Sequence, residues 1–326
     1  MNLLIISNNP DRASFRQRIG IYIDTLQNSG IKCRVEKLPG SEFSRLALFK
    51  KARDFDAIFL HKKRLNCIDA FLLRKAGRKI IYDFDDAVMY NENYPEKPSR
   101  KRGNSFARTV KSADTVIAGN AYLAEHAKKY NQNVHILPTG LDVKKYDVTI
   151  KRTPDGKIRL VWIGSKSTLR YIREMTPALE KLANRYPNAV LRLISDEFFE
   201  VVGMPVEKVV WSEETEAKEL ASSDIGLAPL PDNPFTRGKC GFKILQYQAA
   251  GLPVVTSPVG VNTEYVEEGK TGFHADNTEQ WVDKTGSLIE NEHSRKEMGL
   301  AGKKTVQKFD YEILGNRLVE LIKNNL

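Results

Sequence analysis

The 326-residue chain has three cysteines, Cys33, Cys67 and Cys240, odd in number and far apart. That argues against a disulfide framework and against a cysteine-built metal site. Its five histidines show no HExxH or related spacing, so no dedicated metal cage is expected. No apolar run approaches the roughly 20 residues that span a bilayer, and the start, MNLLIISNNP, lacks the basic region and cleavage signal of a secretory leader. Together these absences predict a cytoplasmic location. The first strand is not followed by GxGxxG, so a dinucleotide fingerprint is missing. Zinc-finger spacing, RNP-type aromatic motifs and basic zippers are also missing, and no nucleic-acid partner is expected. The sharpest absence is local. From residue 233 to 263 there is no Asp or Glu, in a chain 28% charged, yet Arg237, Lys239 and Lys243 fall there.

That stretch reads DNPFTRGKCGFKILQYQAAG and runs into the apolar LPVV. Gly238 and Gly241 bracket a helix start expected near Cys240, and Gly251-Leu252-Pro253 ends the helix. A helix start offers unpaired N–H groups and the positive end of the macrodipole, and three cations sharpen its preference for an anion. The expectation is a phosphate site. Phe242, Leu245 and Ala249 form the expected buried stripe, while Lys243 and Gln246 share a second face pointing along the ligand. Lys239 and Lys243 would meet a diphosphate and Gln246 a hydroxyl beyond it. The alternative leaves Lys243 and Gln246 as solvated helix residues and the glycines as shapers of a turn.

The chain is long enough for about two domains. Its net charge of +10 is uneven: residues 1–152 hold 29 of the 51 Lys and Arg against 16 of the 41 Asp and Glu, a surplus of 13. Lys50-Lys51, Lys62-Lys63-Arg64 and Arg100-Lys101-Arg102 suit an anionic membrane surface or an acidic acceptor, or form a solvated face.

Six apolar runs alternate with helical periods in the first half: 2–7, 32–38, 56–61, 79–83, 114–119 and 133–138. Helices are expected at 15–27, 43–53, 65–75, 106–111 and 121–130. A second series follows a polar stretch ending in Pro154-Asp155-Gly156, with strands at 158–164, 189–195, 207–212, 224–230, 252–257 and 272–275. Its helices are expected at 169–185, 213–221, 241–250, 262–267, 278–290 and 294–308. The pattern predicts α/β architecture with two doubly wound, Rossmann-like domains, 1–152 and 153–308, facing across a cleft, and a last helix over 309–326.

Ligands in such domains meet the loops after strand C-termini. In the first half these loops bring Arg12, Arg16 and Arg18, then His61, then Asp83, Asp85 and Asp86. Three carboxylates within four residues repel one another unless positive charge or water faces them. They are candidates for acceptor contacts, a general base or a Mg²⁺ site, or else serve as caps and loop acceptors. In the second half Gly164-Ser165-Lys166, Ser195 and Ser212 follow three successive strands. They suit phosphate, sugar or ribose contacts, with helix capping the alternative for Ser195 and Ser212.

Residues 224–260, with VWIGS at 161–165, TGF at 271–273 and the terminal KFDYEILGNRLVELI, resemble family 4 retaining glycosyltransferases of GT-B fold. The resemblance implies a nucleotide-sugar donor, UDP or GDP, in the second domain and an acceptor in the first. It also implies no obligatory cofactor or metal, and a C-terminal helix crossing back to the first domain. Two Glu seven residues apart usually mark the donor site; here Gly238 and Gln246 occupy those positions. Donor contacts then fall to Gly164, Ser165, Lys166, Ser195, Ser212, Arg237, Gly238, Lys239, Cys240, Gly241, Lys243 and Gln246, with backbone N–H groups of 239–241 or Lys239 replacing the first Glu. Arg237 and Lys243 would stabilise the leaving diphosphate, and His61, Asp83, Asp85 and Asp86 would position the acceptor, with Arg16, His61 and Asp85 binding it. The implied activity is transfer of a sugar to a hydroxyl of a glycan or lipid-linked acceptor, in cell-surface polysaccharide or glycolipid synthesis. Peripheral contact with the inner face of an anionic membrane accompanies it. The alternatives are a non-catalytic nucleotide-sugar-binding subunit and a GT-B-type nucleotide-sugar epimerase.

Overall fold

The strands expected from apolar runs pair into two parallel six-stranded sheets. A computed structural model describes residues 1–150 and 155–325, and the chain divides into two units. One comprises Met1–Leu141, Asn233–Cys240 and Phe309–Leu326, the other Asp142–Asp232 and Gly241–Lys308. The division expected at 152/153 lies outside the described residues. Among the described residues, no helix is long and apolar enough to cross a membrane.

In the first unit β1 (Asn2–Ser7), β2 (Lys32–Lys37), β3 (Ala57–His61), β4 (Ile80–Phe84), β5 (Thr115–Ala118) and β6 (Val134–Ile136) take the order β2-β1-β3-β4-β5-β6. Every residue of β3, β4 and β5 is buried, as a sheet covered on both faces requires. The connecting helices are α1 (Ala13–Arg18), α2 (Ile23–Asn28), α3 (Glu42–Lys51), α4 (Cys67–Ala76), α5 (Arg100–Ser112) and α6 (Ala121–Lys128). Right-handed crossovers put α1 and α2 on one face of the sheet and α3, α4 and α5 on the other.

In the second unit β7 (Ile158–Ile163), β8 (Ala189–Ser195), β9 (Val206–Val210), β10 (Ile225–Ala228), β11 (Val254–Thr256) and β12 (Gly272–His274) take the order β12-β11-β10-β7-β8-β9. Its helices are α7 (Leu169–Arg173), α8 (Thr176–Arg185), α9 (Glu216–Ala221), α10 (Phe242–Ala249), α11 (Asn262–Tyr265), α12 (Thr278–Glu290) and α13 (Glu292–Val306). The last helix, α14 (Tyr311–Asn324), packs against α2 in the first unit, where the Leu141 N–H donates to the Phe309 carbonyl at 3.1 Å.

Two expected helices are broken. The 15–27 helix is interrupted by a tight turn at Gly20–Tyr22, where Gly20 weakens the helix and buried Arg18 and Tyr22 turn inward. The 169–185 helix stops at Arg173 and restarts at Thr176, because Pro177 lacks an N–H and is tolerated only in a first turn. α5 is longer than expected: Ser99 caps it, its hydroxyl accepting from the Arg102 N–H at 3.4 Å, and so the Arg100-Lys101-Arg102 run forms its first turn.

Each sheet has one place where strand order reverses, between β1 and β3 in the first unit and between β7 and β10 in the second. Loops leaving these pairs part in opposite directions and open a crevice at the strand C-termini. Arg16 follows β1 on α1, and His61 ends β3. Gly164, Ser165 and the approach to α10 follow β7 and β10.

Candidate functional site

In the second unit α10 is locked onto the reversal point by Tyr247. Its hydroxyl accepts from the Ile163 N–H and donates to the Leu227 carbonyl, both at 3.1 Å. Gly226 leaves room for that ring, since a Cβ there would fall 2.5 Å from it. The helix starts at Phe242, two residues later than expected, because Gly241 before it is left-handed with φ +64°. A Cβ at 241 would fall 2.9 Å from Tyr265 and Val261, so both the turn and the packing call for glycine. The first turn has no acidic neighbour in sequence, and its Ile244 N–H donates to the Gly241 carbonyl at 2.9 Å. The Lys243 ammonium lies 4.4 Å from the ring centre of Trp162 on β7, at the same helix end. A Cβ on Gly164 would fall 2.7 Å from the Trp162 ring, and beyond it Ser165 is exposed with its Oγ 3.0 Å from that of Ser167.

Four expected contacts have other engagements. Gln246 is buried rather than turned away from the core: its amide donates to the Tyr146 hydroxyl at 2.9 Å and lies 3.5 Å from Glu216 Oε2. Glu216 itself, buried on α9, accepts from Tyr146 and Lys145 at 2.8 Å and from the Trp211 indole at 2.8 Å. Burial, followed by Glu216, pushes the Tyr146 hydroxyl pKa up, so it remains a donor. This network was invisible in sequence because its members lie up to 100 residues apart. Tyr146→Phe is expected to lower the stability of the second unit by about 1.5 kcal/mol, the worth of a hydrogen bond to a buried charge, as read by urea unfolding. Lys166 is exposed and pairs with Glu197. Ser212 accepts from the Thr215 N–H at 3.3 Å, as a cap does, and buried Ser195 donates to Asp196 at 3.3 Å.

The segment Asn233–Cys240, expected in the second domain, packs within the first unit. Asn120 on α6's N-terminal side donates to the Gly238 and Lys239 carbonyls at 3.3 Å, and the Tyr122 hydroxyl donates to the Pro234 carbonyl at 3.0 Å. Phe235 joins the apolar core of that unit. A Cβ on Gly238 would fall 2.7 Å from the Ala87 Cβ and 2.9 Å from Leu123, so no side chain fits there. The N–H groups of Arg237, Gly238 and Lys239 are already spent on Asn233, Phe235 and Thr236 carbonyls at 3.1, 3.2 and 2.9 Å. The expected replacement of the first Glu by the 239 amide is therefore corrected.

The acidic group at the end of β4 is neutralised in two parts. Asp83, 1% exposed, receives the equally buried Arg18 guanidinium at 2.7 and 3.1 Å, and His61 Nδ1 at 3.1 Å. Burial alone would raise its pKa, but Arg18 and then His61 outweigh that and hold it low. Asp83 thus anchors its neighbours. The contact makes Nδ1 the donor and leaves His61 Nε2, buried and without a partner, as a bare acceptor. Asp85 and Asp86 share the Lys62 ammonium at 2.7 Å each, and Lys239 lies 3.5 Å from Asp86. Asp85 Oδ1 has the ionic contact but no well-directed hydrogen bond. Lys62 is the one non-glycine residue with positive φ, +60°, among the described residues, a conformation held by its N–H bond to the Asp83 carbonyl at 2.7 Å. Arg16, by contrast, on α1, donates to the Asp11 carbonyl just before that helix at 2.5 Å. Among the described residues, no group of three His, Cys, Asp or Glu is arranged to hold a metal ion.

Residues 143–291 match the family described as glycosyl transferases group 1. The D-inositol 3-phosphate glycosyltransferase of Arthrobacter sp. (strain FB24) is 26% identical over 247 residues, 67% of this chain and 57% of the relative. The chain spans a little over half the length of the curated relatives it matches. The Anabaena protein Alr3699/HepE, solved in complex with UDP and glucose, superposes with a TM-score of 0.74 at 16% identity, covering 99% of this chain and 100% of that one. Sucrose-phosphate synthase from Thermosynechococcus elongatus superposes with a TM-score of 0.74 at 14% identity, covering 99% and 98%. Residues 143–291 are thus similar to the glycosyl transferases group 1 family, in a chain whose two parallel sheets have the GT-B fold.

Proposed function

We propose that the chain is a retaining glycosyltransferase of the family 4 type. It moves a sugar from a nucleoside diphosphate to a hydroxyl of a glycan or lipid-linked acceptor in cell-surface polysaccharide or glycolipid synthesis, with no obligatory metal. The observation that carries this reading is the start of α10. There a left-handed glycine, a first turn without acidic neighbours in sequence and Lys243 stand at the reversal point of the second sheet. The step that needs help is departure of the diphosphate, whose growing charge the helix amides and Lys243 stabilise in place. Gly164 and Ser165 add a close backbone approach and a hydroxyl. The UDP held by the Anabaena protein favours UDP as the nucleotide here.

In the first unit His61, oriented by Asp83, offers its Nε2 lone pair to a hydroxyl of the acceptor other than the attacking one, with Asp85 and Arg16 as further contacts. Attack comes from the side the diphosphate leaves, and the donor's own phosphate takes the acceptor proton. The basic first unit makes peripheral contact with an anionic membrane. Titration with UDP- and GDP-sugars, followed by NMR of the product's anomeric centre with and without EDTA, tests the reading. Binding, retention and indifference to EDTA are expected; inversion, or activity lost with EDTA and restored by metal, overturns the mechanism.

Gly238 favours one rival, a nucleotide-sugar-binding subunit without catalysis, because no carboxylate stands at that position. Binding without hydrolysis or transfer across an acceptor panel would establish it, whereas an altered free nucleotide sugar would point to an epimerase. Gly238→Glu is expected to cost about 1–3 kcal/mol by overpacking against Ala87 and Leu123, and not to raise activity. Chemical denaturation beside a transfer assay checks both.

A further inference from the structure

The outer face of the α3, α4 and α5 layer exposes three large apolar side chains: Phe43 at 87%, Ile68 at 62% and Phe71 at 66%. Phe43 and Ile68 are each the second residue of their helices, which run the same way because both follow strands of a parallel sheet. Arg45 Nε meets Asp69 Oδ1 at 3.0 Å and keeps those two ends level. Between α4 and α5 lies an open groove of about 780 Å³, lined by Cys67, Phe71, Lys75, Asn104 and Lys111 among others.

The charge on this face is predominantly positive, with Glu42 its exposed exception. Asp69, the one carboxylate of α4, is buried against Arg45, and Glu42 at the start of α3 lies 3.8 Å from the same arginine. Arg74 is neutralised by Asp114 at 2.6 Å. α5 carries Arg100, Lys101, Arg102, Arg108 and Lys111 and no acid, and three of these crowd its first turn, where the macrodipole is already positive. Arg64 beside them is held below its ordinary pKa by burial and then by Arg102. The surplus calls for an anionic surface. A soluble polyanion would engage the cations but leave Phe43, Ile68 and Phe71 in water, whereas a lipid interface takes both kinds of group at once.

We propose that this face docks the protein on an anionic lipid bilayer. Phe43, Ile68 and Phe71 enter the headgroup and acyl boundary, and Lys75, Lys101 and Lys111 pair with lipid phosphates while their stems lie along the apolar residues. The inference names the surface for the membrane contact proposed above and rests on that reading.

Co-sedimentation with phosphatidylcholine vesicles, with and without phosphatidylglycerol, tests it. The intact protein is expected to bind the phosphatidylglycerol vesicles and to be released by high salt. Lys75→Glu with Lys111→Glu is expected to weaken binding at least tenfold, since each cation near an anionic leaflet is worth about fivefold. Ile68→Ser with Phe71→Ser is expected to weaken it comparably, while Lys32→Glu with Lys323→Glu, exposed elsewhere on the unit, changes it less than twofold. An unchanged urea-unfolding transition of the first unit in each variant reports an intact fold. If the intact protein ignores phosphatidylglycerol, membrane contact itself fails. If it binds and both face variants bind as well, this surface is wrong while membrane contact stands. If only the charge pair matters, charge alone holds the protein at the lipid surface and the insertion of Phe43, Ile68 and Phe71 is overturned.

Discussion

Asp83→Asn is expected to destabilise the first unit by about 3–5 kcal/mol, the cost of leaving a buried guanidinium without its counter-charge. Arg18 and Asp83 are each 1% exposed, and Arg18 also donates to the Leu137 carbonyl at 2.6 Å, so it has nowhere to relax. Urea unfolding followed by probes in each unit reads the loss, which is confined to the first. Arg18→Met should cost as much, but Arg18→Met with Asp83→Leu should recover most of it, because the pair as a whole contributes less than either orphaned charge costs. The pH dependence has a definite sign. Asp83 has a folded pKa below its unfolded value, so its contribution is fully present above the unfolded carboxylate value and is lost as pH falls through the lower folded value. Asp83→Asn should therefore flatten the acid limb of the first unit's stability curve. A variant that keeps the wild-type acid limb would show that the carboxylate is not what holds Arg18.

Lys243→Ala is expected to weaken nucleoside diphosphate binding by about 2 kcal/mol, roughly thirtyfold, if its ammonium pairs with phosphate. Lys243 also lies over the Trp162 ring, so truncation removes packing as well as charge. Lys243→Met separates the two by keeping an apolar stem. Both variants should lose affinity for UDP and UDP-sugars while their weak affinity for uridine is unchanged, since uridine has no phosphate to feel the loss. Equal losses for uridine and UDP would mean that Lys243 shapes the pocket without contacting the diphosphate.

Much of the architecture was legible because parallel strands buried on both faces are nearly uninterrupted apolar runs. Asn2–Ser7 and Ala189–Ser195 begin and end where the sequence places them. The broken helices carried local signals as well, in Gly20 and Pro177. What could not be read were partnerships set by the tertiary structure. Three clustered aspartates demand positive charge, but nothing local says that Arg18, 65 residues away, faces Asp83, or that Lys62 bends into a left-handed conformation to serve Asp85 and Asp86. Gln246 reads as an exposed helix residue until Tyr146 and Glu216 are seen to claim it. Gly238 reads as one bracket of a helix start or as a shaper of a turn, and its need for glycine comes instead from Ala87 and Leu123.

Backbone amide exchange in saturating UDP is the most direct test of a diphosphate seated on the start of α10, because the first-turn amides of a helix have no partner within it and exchange readily unless a ligand covers them. Slowed exchange concentrated at Gly241 and Phe242 and, in the loop after β7, at Ser165 and Ser167, and lost in Lys243→Met, is the result expected. Unaltered exchange at both places while UDP is bound would put the nucleotide elsewhere and remove the basis for the transfer mechanism.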